Sequence, residues 1–161
     1  MNWYLAVLKN YAGFKGRAHR TEFWMFTLVN SLIMLVLGIG IVIGIVQRQR
    51  WGEWLLILLS LYSFAVLIPS YAVTVRRLHD TGRNGWLVLI IFICAIGSSV
   101  FSFLSIGHSG YQAPGIFFNL ANIACGIYFF VVACFDSQPG SNQYGPNPKE
   151  IASEKISDSS I

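Results

Sequence analysis

The chain has 161 residues, 55% of them hydrophobic and only 11% charged, with a formal net charge of +4. An average soluble domain carries about 25% charged residues, so this composition excludes a water-soluble globule and points to a membrane protein. Three cysteines, Cys94, Cys125 and Cys134, lie in or at the end of apolar runs, which is no disulfide framework and suits small apolar side chains.

Residues 2–14 carry Trp3, Tyr4, Val7, Leu8, Tyr11 and Phe14 at spacings of three and four. That pattern predicts a short amphipathic helix, lying in the headgroup plane, packed on the rest of the protein, or both. No uninterrupted apolar h-region opens the chain, and its positive charges come late. A secretory signal is therefore not expected, and the first span should remain in the mature chain.

Glycines then break the helix, and Thr21 is the expected N-cap of the next one. Phe23–Val46 holds 24 residues without a charge. At 1.5 Å per residue this crosses a hydrocarbon core of about 30 Å with some tilt. Trp24 stands where an interfacial aromatic belongs, and Gly40 and Gly44 allow close helix approach. A second span is expected over Trp54–Val75, where Pro69 should free the carbonyl of Ala65 and kink the helix. The polar stretch 76–85 reads as a loop. Further spans are expected over Trp86–Ile106 and Ile116–Phe135, with Asn119 and Asn122 as interhelical hydrogen-bond partners. Residues 1–148 thus read as one four-helix transmembrane domain. Residues 149–161 read as a polar, Ser-rich, disordered tail.

With four spans, the N-terminal segment, the 76–85 stretch and the tail share one side. They hold four, three and two Lys or Arg residues, nine in all, against Arg48 and Arg50 on the other side. The positive-inside rule therefore predicts both termini in the cytoplasm.

Three polar segments alternate with these spans. They are Gly13-Phe14-Lys15-Gly16-Arg17-Ala18-His19-Arg20-Thr21-Glu22-Phe23-Trp24, then Arg76-Arg77-Leu78-His79-Asp80-Thr81-Gly82-Arg83-Asn84-Gly85-Trp86, then Asp136-Ser137-Gln138-Pro139-Gly140-Ser141-Asn142-Gln143-Tyr144-Gly145-Pro146-Asn147-Pro148. In this order the chain closely resembles the DUF805 family of small bacterial inner-membrane proteins, the YhaH-like proteins. The resemblance runs from Trp3 to Pro148. It implies a bacterial cytoplasmic membrane and supplies no activity.

All three segments are expected on one face, where helix ends of a compact bundle lie within roughly 10 Å of their neighbours. Arg17, Arg20, Arg76, Arg77, His79, Asp80, Arg83 and Asp136, with His19, could then form one patch. A purely topological role explains the arginines without a ligand. A binding role also fits, because arginine forks and glycine-rich turns suit phosphate. The ligand would be an anionic lipid headgroup or a phosphorylated molecule at the bilayer surface. Arg77, Arg17 and Arg20 are then the leading contacts, oriented by Asp80 and Asp136. The same face suits a membrane-protein partner or a second copy of the chain. An enzyme acting on lipid would draw on His79, Asp80, His19 and Asp136. Yet no His pair at i, i+4, no Cys-x-x-Cys and no Gly-x-Ser-x-Gly occurs, so no catalytic residue, metal or cofactor is expected, and no nucleic-acid partner. The spans hold no ionisable residue at the midplane to mark a transport pathway, and four helices enclose little room, so transport would need an oligomer lined by Asn30, Asn119 and Asn122.

Overall fold

A computed structural model describes residues 3–106 and 108–150. Five α-helices follow one another: α1 Trp3–Lys9, α2 Arg20–Val46, α3 Trp51–Asp80, α4 Leu87–Leu104 and α5 Gln112–Cys134, with a 3₁₀ turn at Ser109–Tyr111. Among the described residues no strand forms beyond one isolated bridge, Asn142 to Gly145. The helices α2 to α5 are long and apolar enough to cross a membrane. Their outer surfaces present Val36, Val46, Phe64, Phe103 and Phe117, an apolar coat that water would not tolerate.

Each helix departs from the charge-free stretch that marks it in the sequence. Helix α2 starts at Arg20 because His19, not Thr21, is its N-cap: the His19 ring nitrogen Nδ1 accepts from the Thr21 N–H at 3.2 Å. Helix α3 runs through Arg76–Asp80, which read as loop. Its charged last turn is sheltered by partners from distant segments, and it ends only at Gly82, whose φ of 74° suits glycine. There the Arg83 N–H reaches Leu78 O at 2.9 Å and the Gly82 N–H reaches His79 O at 3.1 Å, a Schellman closure. Helix α5 begins at Gln112 despite Pro114 and Gly115, because first-turn N–H groups have no helical acceptor to lose. The expected tail lies outside the described residues beyond Glu150.

The helices form two hairpins, α2 with α3 and α4 with α5. Each packs along its length, while the hairpins touch one another far less. In the first hairpin, Gly44 meets Gly52 so closely that a Cβ on Gly44 would lie 2.6 Å from the Gly52 Cα. Gly40 likewise admits Leu55. In the second, the Asn122 side chain donates to Ser98 Oγ at 3.3 Å, whereas Asn119 bonds Gly115 O within its own helix at 2.9 Å. Asn119 is therefore not an interhelical partner. Trp24 is half-buried edge-on against Phe130, joining α2 to α5.

Helix α1 is seated on the first hairpin. Val7 joins Ala18, Phe26 and Val73 in a buried cluster, and the Tyr4 ring stacks on Phe26. Leu5 points away from it, exposed. The turn after α1 also answers Pro69. The Tyr11 hydroxyl donates to the freed Ala65 carbonyl at 2.5 Å, so α3 continues past its proline with that acceptor satisfied.

Candidate functional site

The polar segments meet at one end of the bundle, here the basic end, around a single carboxylate. Asp80 is 0% exposed. Its Oδ1 accepts from Arg17 Nε at 3.0 Å, and its Oδ2 accepts from Arg77 Nη1 and from Ser137 Oγ, the latter at 2.7 Å. Arg77 stands one turn before Asp80 on α3, where residues three apart share a face. Arg17 arrives from the segment before α2, which is anchored by the Ala18 N–H on Arg76 O at 3.1 Å.

Most of the remaining donors of both arginines run into the last turn of α5 and the backbone that follows it. Arg77 Nη2 donates to Ala133 O at 3.2 Å and to Phe135 O, capping carbonyls that the end of α5 leaves open. Arg17 donates through Nη2 to Gln138 O at 2.5 Å and through Nη1 to Gly140 O at 2.7 Å. The Gln138 N–H in turn donates to Asp80 O at 2.9 Å. Three segments far apart in sequence are thereby one hydrogen-bonded unit. A carboxylate so saturated and sealed is built as an anchor. A general base needs reach to a substrate proton.

The other expected site residues fall outside this unit. Arg76 is 5% exposed and pairs through Nη1 with Glu22 at 2.8 Å. Its Nε and Nη2, and Arg77 Nε, are buried with no hydrogen-bond partner among the described residues. Arg20 is exposed. Arg83 reaches the Tyr128 hydroxyl and lies over the Tyr128 and Phe135 rings at 5.2 and 5.6 Å, pinning the α3–α4 turn to α5. Asp136 orients none of the arginines by contact. It pairs with Lys149 at 2.8 Å on the surface, and the Lys149 ammonium and the Ser137 N–H hold its carboxyl below the usual carboxylate range.

His19 and His79 separate as well. His19 caps α2 and stacks on Trp3, and burial pushes its imidazole below the ordinary histidine range. His79 donates from Nδ1 to Gly16 O at 3.1 Å and stacks on Tyr144 at 3.8 Å. Tyr144, Ser137 and Glu22 are participants that residue type alone does not flag. Glu22 carries the one available signal, as the sole acid in the first polar segment. Among the described residues no cluster of three His, Cys, Asp or Glu side chains could hold a metal ion.

The sequence profile of DUF805, described as a protein of unknown function, matches residues 11–146. The chain is 39% identical to the inner membrane protein YhaH of Escherichia coli strain K12 over 150 residues, covering 92% of this chain and 98% of that protein. It is 44% identical to the inner membrane protein YhaI of the same strain over 111 residues, 62% of this chain and 88% of that one. No solved structure matches the chain.

Removing one partner of a buried ion pair costs about 3–5 kcal/mol, because the other charge is left uncompensated. Asp80→Asn should therefore lower the thermal unfolding midpoint in detergent sharply. Ser137→Ala, which removes one neutral donor and leaves both arginines on the carboxylate, should cost less, about 1.5–3 kcal/mol. Equal midpoints for the two variants would contradict the anchor role of Asp80.

Proposed function

This chain belongs to the DUF805 family of inner-membrane proteins, and on that premise we propose that it is a non-enzymatic binding protein. Its basic end takes an anionic group, a lipid headgroup or a phosphorylated ligand, at the cytoplasmic surface. Both termini lie in the cytoplasm in this reading, and α1 lies at the headgroup level. The support for this threading is the excess of nine Lys and Arg residues over two between the two sides.

The observation that carries the binding role is Arg76. Its Nε and Nη2 are buried donors without an acceptor, a condition that costs free energy until an acceptor arrives. Glu22 neutralises one edge of the guanidinium. Glu22 then acts as the resident anion of the site. A phosphate displaces it and takes the fork in pairs of hydrogen bonds. Exposed Arg20 adds positive charge from the start of α2. Arg17 and all of Arg77 but its Nε are spent on Asp80 and backbone carbonyls, so the binding contacts shift from them to Arg76 and Arg20.

Native mass spectrometry of the protein in anionic lipid tests this. Arg76→Lys should weaken retention of a phosphate-bearing adduct about tenfold, because an ammonium cannot reproduce the fork. Glu22→Gln should strengthen it by removing the competing anion. Retention that neither variant alters would sink the reading.

Orientation is read separately. A cysteine placed at Gln49 should react with an impermeant thiol reagent added to intact cells, and one placed at Ser141 should not. The reverse pattern would invert the threading.

A further inference from the structure

A second site lies on the flank of α3 that faces α4, and it does not use Arg76. Leu67, Tyr71, Val75 and His79 recur at every fourth residue, so they form one stripe along α3. Leu89 and Phe92 of α4 face that stripe across a cavity of about 630 Å³, within the range of about 300–1,000 Å³ typical of small-molecule sites. Tyr71 meets Phe92 edge-on at 5.7 Å. Apart from Tyr71, the walls are apolar except at the basic end, where the stripe passes from Val75 to His79 and where Asn84 and Tyr144 also line the cavity.

The His79 ring is fixed in orientation. It stacks on Tyr144 with 5° between the planes, and its Nδ1 faces Gly16 O. A carbonyl only accepts, so Nδ1 carries the proton and Nε2 of the neutral ring is an acceptor. Nε2 takes part in no hydrogen bond with another described residue. Gly85 packs close beside it, since a Cβ there would lie 2.9 Å from Nε2 and 2.7 Å from Val75 Cγ1, so a larger residue at 85 would crowd the ring. Asn84 Oδ1 accepts from the Trp86 N–H at 3.0 Å, which leaves its amide N–H₂ as a donor. The polar end therefore offers an acceptor and a donor group, beside Tyr144, above a long apolar trough.

A molecule that enters between two membrane-spanning helices comes from the bilayer. Its polar end must stand at the level of the helix ends, and its chain must lie along the helices. A phospholipid has its parts in that order. The headgroup must carry a hydroxyl to donate to Nε2 and oxygens to accept from Asn84. The excess of arginine at this end disfavours an ammonium headgroup. We propose that the groove between α3 and α4 holds one phospholipid of the phosphatidylglycerol type. One chain lies along Leu67, Tyr71 and Phe92, and a headgroup hydroxyl donates to His79 Nε2.

The test offers the full chain phosphatidylglycerol and phosphatidylmethanol with identical chains, and reads retained adducts by native mass spectrometry. The two lipids carry the same charge, and only the first has headgroup hydroxyls. The wild-type protein should retain phosphatidylglycerol about threefold to tenfold over phosphatidylmethanol, the worth of roughly one hydrogen bond. His79→Phe keeps a ring to stack on Tyr144 but removes the acceptor, and should abolish the preference. Leu89→Trp fills the trough without touching the polar cluster, and should lose the preference, leaving only what the Arg76 site retains equally of both lipids. It decides the matter if His79→Phe does not fold. Arg76→Lys and Glu22→Gln should leave the preference intact, which separates this site from the anionic site on the other flank of α3. Equal retention of the two lipids by wild type, a preference that survives Leu89→Trp, or a phosphorus-free amphiphile retained in place of either lipid would overturn the proposal.

Discussion

The structure depends on one buried carboxylate that would be out of place without its partners. Asp80 closes the last turn of α3, where the helix dipole already places partial negative charge. Taking that charge out of water costs several kcal/mol. Arg17 and Arg77 offset it, but two guanidinium groups for one carboxylate leave a buried excess of positive charge. The carbonyls of Ala133, Phe135, Gln138 and Gly140 absorb the remaining donors except Arg77 Nε. Solving the electrostatics of α3 therefore requires the end of α5 and the turns after it to be present.

This constraint explains the uneven packing of the bundle. Glycine contacts hold α2 against α3, and Asn122 with Ser98 helps hold α4 against α5. The hairpins have little such packing between them, and the arginine–aspartate unit ties them at the basic end. Beside that tie, α3 and α4 leave the apolar trough between them. The tie thus sets both the fixed surface carrying Arg76 and Arg20 and the open side carrying His79. Tyr144 belongs to both features, because the segment that Arg17 holds also lays that ring on His79.

The spans were legible in the sequence because lipid admits so few charges that apolar runs stand out. Helix ends were not. A charge at a helix end reads as loop, yet Arg76–Asp80 are helical because their partners lie about 60 residues away on either side. The eight candidate residues were legible as a set by type and by the side of the membrane they share. Their division was not. Arg17 and Arg77 look the same as Arg76 in sequence, and only the path of backbone carbonyls after α5 decides whose donors are spent. Asp136 shows the same limit: its type suits an arginine partner, and the fold gives it Lys149 instead. Pro69 is a case where the sequence posed the problem correctly and could not name the solution, since Tyr11 lies 54 residues upstream.

Hydrogen exchange of the Arg17→Gln variant beside the wild type tests the central claim most directly. If the buried unit holds the C-terminal turns against the helices, losing Arg17 should free the amides from Gln138 to Gly145 to exchange faster. Amides within the spanning part of α2 and α3 should keep their protection. Unchanged exchange across residues 138–145 would contradict the account, because those turns would then be held by something other than the arginine that reaches their carbonyls.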